Sequence, residues 1–375
     1  MEKIYALLSD FGINGEIVDV KTFKSGHINT TYYVKVRNGN QESEYVLQMI
    51  NKNVFKKPIE VMENISGVTN FIAQKLESRG IDPQKKVLHF QPALTGEYFT
   101  LDEKGDYWRV YNFINNSVAF DSTDDPKLLE EIGKAFGEFQ LLLADYPSKS
   151  LHDTIPNFHN TISRYMALKE KVLENPVHRR DGVADVISEY LKIEPIATHM
   201  TKLAREGKLP LRVTHNDTKC NNVLFDPETR EYLCAIDLDT IMPGLLGHDF
   251  GDAMRFAGNT ASEDETDLSK VRLDLDKYRA FTKGFLSKVA PTLTKAEKDT
   301  LSLGAITMTA ECGARFLTDY LDGDHYFKTE YPEHNLDRAK CQLALAQNML
   351  KQYSKMQSIV DDEYYEAMNQ ENSDN

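Results

Sequence analysis

A chain of 375 residues with 41% hydrophobic and 27% charged residues sits at the globular average. Wholesale disorder is excluded, and there is room for two or three structural units. The net charge of −14, from 58 acids against 44 bases, argues against a nucleic-acid or anionic-membrane surface, because binding phosphates takes clustered Lys and Arg. No apolar run reaches the ~18 residues that cross a bilayer. Met1-Glu2-Lys3-Ile4 opens no basic region followed by an apolar stretch, so a cytoplasmic chain without an obligate protein partner is expected. Cys220, Cys234, Cys312 and Cys341 are scattered without zinc spacing and read as reduced, mostly buried thiols.

The first ~115 residues read mainly as strands. Tyr32–Val36 and Glu44–Ile50 are aromatic and β-branched and flank Arg37-Asn38-Gly39-Asn40, where Asn-Gly predicts a hairpin because both residues tolerate φ > 0. Ile59, Met62, Ile65, Val68, Phe71, Ile72 and Leu76 recur every three or four residues after Pro58 and before Gly80, which predicts a helix. Val87–Gln91, Tyr98–Asp102 and Tyr107–Ile114 are further strand candidates. From Asp125 helices dominate. Apolar stripes run through Leu128–Leu143, Val183–Ile196 and Leu336–Tyr353, and Thr294-x-x-Glu297 forms a capping box. Three short strands, Leu211–Thr214, Asn222–Phe225 and Tyr232–Ile236, are set among the helices. This predicts an α+β, bilobal architecture: a small antiparallel-sheet N-lobe over 1–113 and a larger, mainly helical C-lobe over 114–360. Residues 361–375 hold six acids and no base and are expected to be disordered.

The densest chemistry is His215-Asn216-Asp217-Thr218-Lys219-Cys220-Asn221-Asn222, running off one strand and into another. Fifteen residues past Asn222, a third apolar strand ends in Ile236-Asp237-Leu238-Asp239. Phosphoryl transfer asks for a carboxylate beside the attacking hydroxyl and for oxygen ligands that hold Mg²⁺ against the phosphates. Asp217 fits the first role; Asn222 and Asp237 fit the second. Lys219, two residues after the base, can place a point charge on the γ-phosphate. Asp239 reads either as a further metal ligand or as an exposed neighbour, and His215 as a brace for the loop.

H-x-D-x-K-x-x-N followed by an apolar strand ending in Asp resembles the catalytic and metal loops of the protein-kinase-like superfamily. Ile236-Asp237 and the later His248-Asp249-Phe250-Gly251-Asp252-Ala253 resemble the aminoglycoside phosphotransferase and choline kinase branch. A closer likeness is to the N-acetylhexosamine 1-kinases. It rests on Tyr45–Asn51, His215–Leu224, Ile236–Gly244, Asp249–Phe256 and Glu311–Tyr320. The resemblance implies ATP as phosphoryl donor, Mg²⁺ as cofactor, and the anomeric hydroxyl of GlcNAc or GalNAc as acceptor. Asp249, Phe256, Arg315 and Tyr326 lie in the matching segments and are the expected sugar contacts, and Asp252 the brace beneath the loop. The run Glu311-Cys312-Gly313-Ala314 is expected to let a helix approach the cleft. A kinase of another small alcohol (aminoglycoside, choline or homoserine type) and a non-catalytic pseudokinase are the competing readings.

Two departures stand out. The strand Tyr45–Ile50 has no lysine to pair the α- and β-phosphates; Gln48 is the polar residue in that slot, and either Lys52 or Mg²⁺ compensates. The glycine-rich loop is reduced to Ser25-Gly26-His27-Ile28-Asn29, with Gly26 and His27 expected at a phosphate. The backbone of Phe113 and Ile114 is expected to read the adenine edge. Glu63, without a lysine partner, reads as exposed. The two Asp-Phe-Gly strings, Asp10–Gly12 and Asp249–Gly251, stand in the wrong places to be the metal motif.

Overall fold

The computed structural model describes residues 1–23 and 28–374. A helix absent from the sequence reading, α1 (Glu2–Asp10), precedes a five-stranded antiparallel sheet. The strands are β1 (Glu16–Thr22), β2 (Thr30–Asn38), β3 (Gln41–Met49), β4 (Thr100–Leu101) and β5 (Tyr107–Asn112), in the order β1-β2-β3-β5-β4. Gly39, at φ +62°, sits in the predicted β2–β3 turn, and Asn38 pairs with Gln41. Helix α2 (Pro58–Ser78) follows with proline in its first turn and Gly80 at φ +72° beyond its end. The strand expected at Val87–Gln91 is only a bridge between Phe90 and Tyr111: the Asn112 side chain takes the His89 N–H at 2.6 Å, which keeps that segment out of a regular ladder.

Helices make up most of the remainder: α3 (Pro126–Leu142), α4 (Thr161–Glu174), α5 (Ala184–Ala197), α6 (His199–Arg205), α7 (Leu246–Ala257), α8 (Leu275–Val289), α9 (Lys295–Asp322) and α10 (His334–Asp374). Between α6 and α7 lie β6 (Arg212–Thr214), β7 (Val223–Phe225), β8 (Tyr232–Ala235) and β9 (Met242–Gly244). β9, not foreseen in the sequence, pairs antiparallel with β6, while β7 and β8 form a hairpin. The capping box opens α9, with the Glu297 N–H donating to Thr294 Oγ1 and the Thr294 N–H to Glu297 Oε2.

Helix α9 is the axis of the C-lobe core, buried along most of its length against α7 and α10. It crosses α7 so closely that a Cβ on Gly304 would lie 2.3 Å from the Gly247 carbonyl oxygen, and one on Gly251 2.2 Å from that of Gly304. Glycine is required at that crossing. Gly313 permits close approach as well, but to Tyr190 of α5, whose hydroxyl would stand 1.9 Å from an added Cβ, and not to the cleft.

The acidic tail corrects the expectation of disorder. It is the end of α10, held by apolar contacts that its acid count conceals. Val360 is buried, Tyr364, Ala367 and Met368 pack on the C-lobe core, and buried Glu363 pairs with Arg279. A second core joins α2 to α3 and to the segment around Leu238 and Ile241, seating the N-lobe helix on the catalytic half. Among the described residues no helix is long and apolar enough to cross a membrane.

Candidate active site

The strand pair β6–β9 holds one end of the loop His215–Asn222, and β7 holds the other. A loop carrying this much polarity inside a protein needs partners for its backbone, and two acids of α7 supply them. Buried Asp249 accepts the His215 N–H at 2.9 Å, the Asn216 N–H at 2.8 Å and Gln140 Nε2 at 2.7 Å. Asp252 accepts the Thr218 N–H at 3.0 Å and pairs with Arg255. Asp249 is therefore beneath the loop and not at the substrate, with both oxygens engaged. Its matching position reflected what the loop needs, not what the sugar needs.

His215 is fully buried, its ring edge-on to Phe136 and Phe139, with Nε2 2.9 Å from the Ile236 carbonyl. Thr240 Oγ1 donates to the His215 carbonyl at 2.7 Å, and Asn216 Nδ2 to the Thr240 carbonyl at 2.8 Å. These bonds bind the catalytic loop to the loop Ile236–Thr240. Asn216 and Asp237, neighbours of the chemistry, both take positive φ, +64° and +61°, a conformation that non-glycine residues hold only when surrounding bonds dictate it.

Asp217 and Asn222 are in contact, and Asp237 follows a residue bonded to Asn222 and feels the Asp217 charge. Asn222 Nδ2 donates to the Asp217 carbonyl at 2.8 Å and to its Oδ2 at 3.1 Å, and the Ile236 N–H donates to the Asn222 carbonyl at 2.8 Å. Lys219 Nζ stands 2.9 Å from Asp217 Oδ1. Burial alone would push the Asp217 carboxyl up, but the Lys219 charge and hydrogen bond outweigh it and hold the group below its ordinary value. Asp237 is pushed up to about 6, by the protein packed around it and then by the carboxylates of Asp239 and Asp217. An acid crowded by two others is where a divalent cation gains most.

Asp239 is not an exposed neighbour: it is 3% exposed and paired with Arg109 of β5. Gln48 gives both ends of its amide to the protein, donating to Thr31 Oγ1 at 2.8 Å and accepting from Arg109 Nε at 2.9 Å. Lys52 pairs with Asp106, away from these groups, and Glu63 is exposed beside His152. The Phe113 N–H is used by the Glu44 carbonyl at 3.1 Å, and Ile114 is buried. Gly26 and His27 lie outside the described residues.

In the C-lobe, Arg315 is ringed by Phe158, Tyr326 and Phe327, with centroids 5.6, 5.7 and 5.4 Å from its guanidinium carbon. Arg315 and Tyr326 are thus brought together, while Phe256 sits between other cations, Arg255 at 3.8 Å and Lys219 at 5.6 Å. Sequence reasoning missed His159, Arg164 and the role of Glu311. His159 Nδ1 lies 2.8 Å from buried Glu311, and its Nε2 3.3 Å from the Asn216 carbonyl, one residue from Asp217. Arg164 donates to the Phe158 carbonyl, and burial, then the nearby Arg315, lower its affinity for its proton. The available signal for Glu311 was an acid inside the apolar run of α9. Asp319 shows how the aromatic loop is held, since its buried carboxylate accepts the N–H groups of His325, Tyr326 and Phe327 at 2.8–3.0 Å.

A small antiparallel sheet lobe, a larger helical lobe, and a loop that brings Asp217, Lys219 and Asn222 together make up a kinase-like α+β fold. Residues 19–282 match the phosphotransferase enzyme family, and the chain belongs to it. Solved structures with the same fold include a spectinomycin phosphotransferase in complex with ADP and spectinomycin (13% identity, 93% of this chain and 98% of that chain covered, TM-score 0.56). They also include a choline kinase from Cryptosporidium parvum (14%, 92% and 93%, TM-score 0.53) and an ethanolamine kinase from Plasmodium vivax (14%, 86% and 82%, TM-score 0.53).

Proposed function

We propose that this phosphotransferase is an ATP- and Mg²⁺-dependent kinase of the anomeric hydroxyl of an N-acetylhexosamine such as GlcNAc or GalNAc. The observation that carries the acceptor class is a cationic wall: Arg315, ringed by Phe158, Tyr326 and Phe327, with Arg164 near enough to feel its charge. Among the described residues neither has a carboxylate within ion-pair distance. Quaternary amines and aminoglycosides are cations and would be repelled there. A neutral sugar presents hydroxyl and acetamide oxygens that guanidinium N–H groups can bind, and apolar ring faces that stack on Tyr or Phe. The resemblance of the Glu311–Tyr320 segment to hexosamine kinases, read from the sequence alone, points the same way.

In the mechanism, Asp217 accepts a hydrogen bond from the sugar O1 hydroxyl and takes its proton as the O1–P bond forms. The bond from the γ-phosphorus to its bridging oxygen breaks, and ADP leaves. The anomeric hydroxyl is more acidic than an ordinary alcohol, so positioning and charge neutralisation set the rate. Asn222 and Asp237 would hold Mg²⁺, which would supply neutralising charge to the phosphates. Lys219 balances the ionised base and adds a point charge beside the transferred group. The adenine is assigned to the backbone of Phe113 and Ile114 other than the Phe113 N–H, which Glu44 holds, and the phosphates to Gly26 and His27. A coupled ADP-release assay on GlcNAc, GalNAc, choline, homoserine and an aminoglycoside tests the reading. Turnover is expected on the amino sugars, and turnover confined to a cationic acceptor would retire it while leaving the kinase.

A further inference from the structure

The strand that should carry a lysine has none, and the helix acid that would pair with it faces away: Glu63 is 56% exposed, beside His152. The missing charge is one strand over. Arg109 stands opposite Gln48 in the β3–β5 register and is 3% exposed. Its guanidinium crosses beneath β3, where Nε and Nη2 bond Gln48 Oε1 and Nη1 reaches Asp239 Oδ1 at 2.5 Å. The other oxygen of Asp239 accepts from Asn29 Nδ2 at 2.6 Å, and Asn29 Oδ1 accepts the Asn51 N–H at 2.9 Å. One buried carboxylate of the metal loop is thereby tied to β5, to the segment leading into β2 and to the end of β3, all three in the N-lobe.

We propose that Arg109 is a positioning residue for the nucleotide. Through Asp239 it fixes the metal loop against the N-lobe sheet, doing what a third-strand lysine paired with a helix glutamate does in protein kinases. Two physical arguments support this. A buried ion pair gains little stability over an apolar pair of the same volume, so retaining one inside a sheet needs a reason other than packing. Asp237, two residues from Asp239, holds a positive φ that a non-glycine residue keeps only in a rigid setting, and the Arg109–Asp239–Asn29 chain supplies that rigidity next to the proposed cation ligand. Arg109 itself is buried: it touches Asp239 directly and reaches Asp237 only through its charge.

The inference rests on the transfer chemistry of the family and not on the identity of the acceptor, so it is tested without one. Binding of ADP is measured calorimetrically with and without Mg²⁺ for the wild type, R109K and the neutral pair R109M/D239N, alongside melting temperature and the KM for MgATP. The neutral pair is expected to melt near the wild type and to bind ADP alone within about twofold, while its Mg²⁺-dependent gain in affinity shrinks about tenfold or more. R109K should recover part of that gain, because its charge reaches Asp239 but its single ammonium cannot also hold Gln48. A neutral pair with the full Mg²⁺-dependent gain and an unchanged KM overturns the inference. Should that pair not fold, Q48M decides: a smaller loss of the same kind supports the role, and none overturns it. A wild-type protein whose ADP binding ignores Mg²⁺ overturns the metal assignment as well, which separates the two failures.

Discussion

At the scale of single residues, the site is built from side chains that hold other side chains. Asp249 and Asp252 carry the backbone of the catalytic loop, Glu311 and His159 carry the carbonyl beside Asp217, and Asp217 is left with Lys219 and Asn222. Replacing Asp217 with Asn keeps the shape and the Asn222 contact but removes the proposed proton acceptor. kcat should fall about a thousandfold with nucleotide affinity within about twofold, read by steady-state kinetics beside ADP calorimetry. His248 gives a pH signature. Burial first, and then His159, pull its pKa down to about 3, so it is neutral in the folded chain. Between its ordinary value of 6.5 and about 3 the unfolded chain takes up a proton that the native one refuses. Stability is therefore lost as the pH falls through that window, by up to ~1.4 kcal/mol per unit from this residue. Urea midpoints at pH 7 and pH 5 should diverge more for the wild type than for His248→Gln.

At the scale of elements, the α7–α9 crossing matters most, because α7 carries both loop-bracing acids and α9 carries Glu311 and Arg315. Gly304→Ala places a Cβ against the Gly247 carbonyl, with backbone on both sides and nothing flexible to yield. A cost of about 1–3 kcal/mol is expected. Because the strain falls on α7, kcat should drop further than the stability loss alone explains. Chemical denaturation together with kcat at a temperature where the variant is fully folded checks both. An unchanged kcat would mean that the crossing serves packing and does not position the loop.

At the scale of the whole molecule, the two lobes share a core through α2 and α3, and the far end of the chain returns to that same C-lobe. Removing residues 361–375 should be destabilising, because Glu363 leaves Arg279 and the apolar contacts of Tyr364, Ala367 and Met368 are lost. A melting temperature lower by a few degrees is the expected outcome. A disordered tail would make the truncation neutral.

The sequence by itself determined the architecture and which polar side chains crowd one loop. Helix and strand periods show where apolar faces must pack, and a short loop places Asp217, Lys219 and Asn222 within reach of one another whatever the rest of the chain does. The elements it missed were those whose partners are remote: β9 is three residues that exist by pairing with β6, and the tail helix is polar along the chain but apolar toward the core. The same limit governed the site. Arg109 meets Asp239 across 130 positions, and His159 meets Glu311 across 152. Asp249, legible as a motif, turned out to support the loop from below. Spacing along a chain fixes only local neighbours; which distant charges are buried together follows from how the helices and the sheet close on one another, and only the tertiary structure decided that.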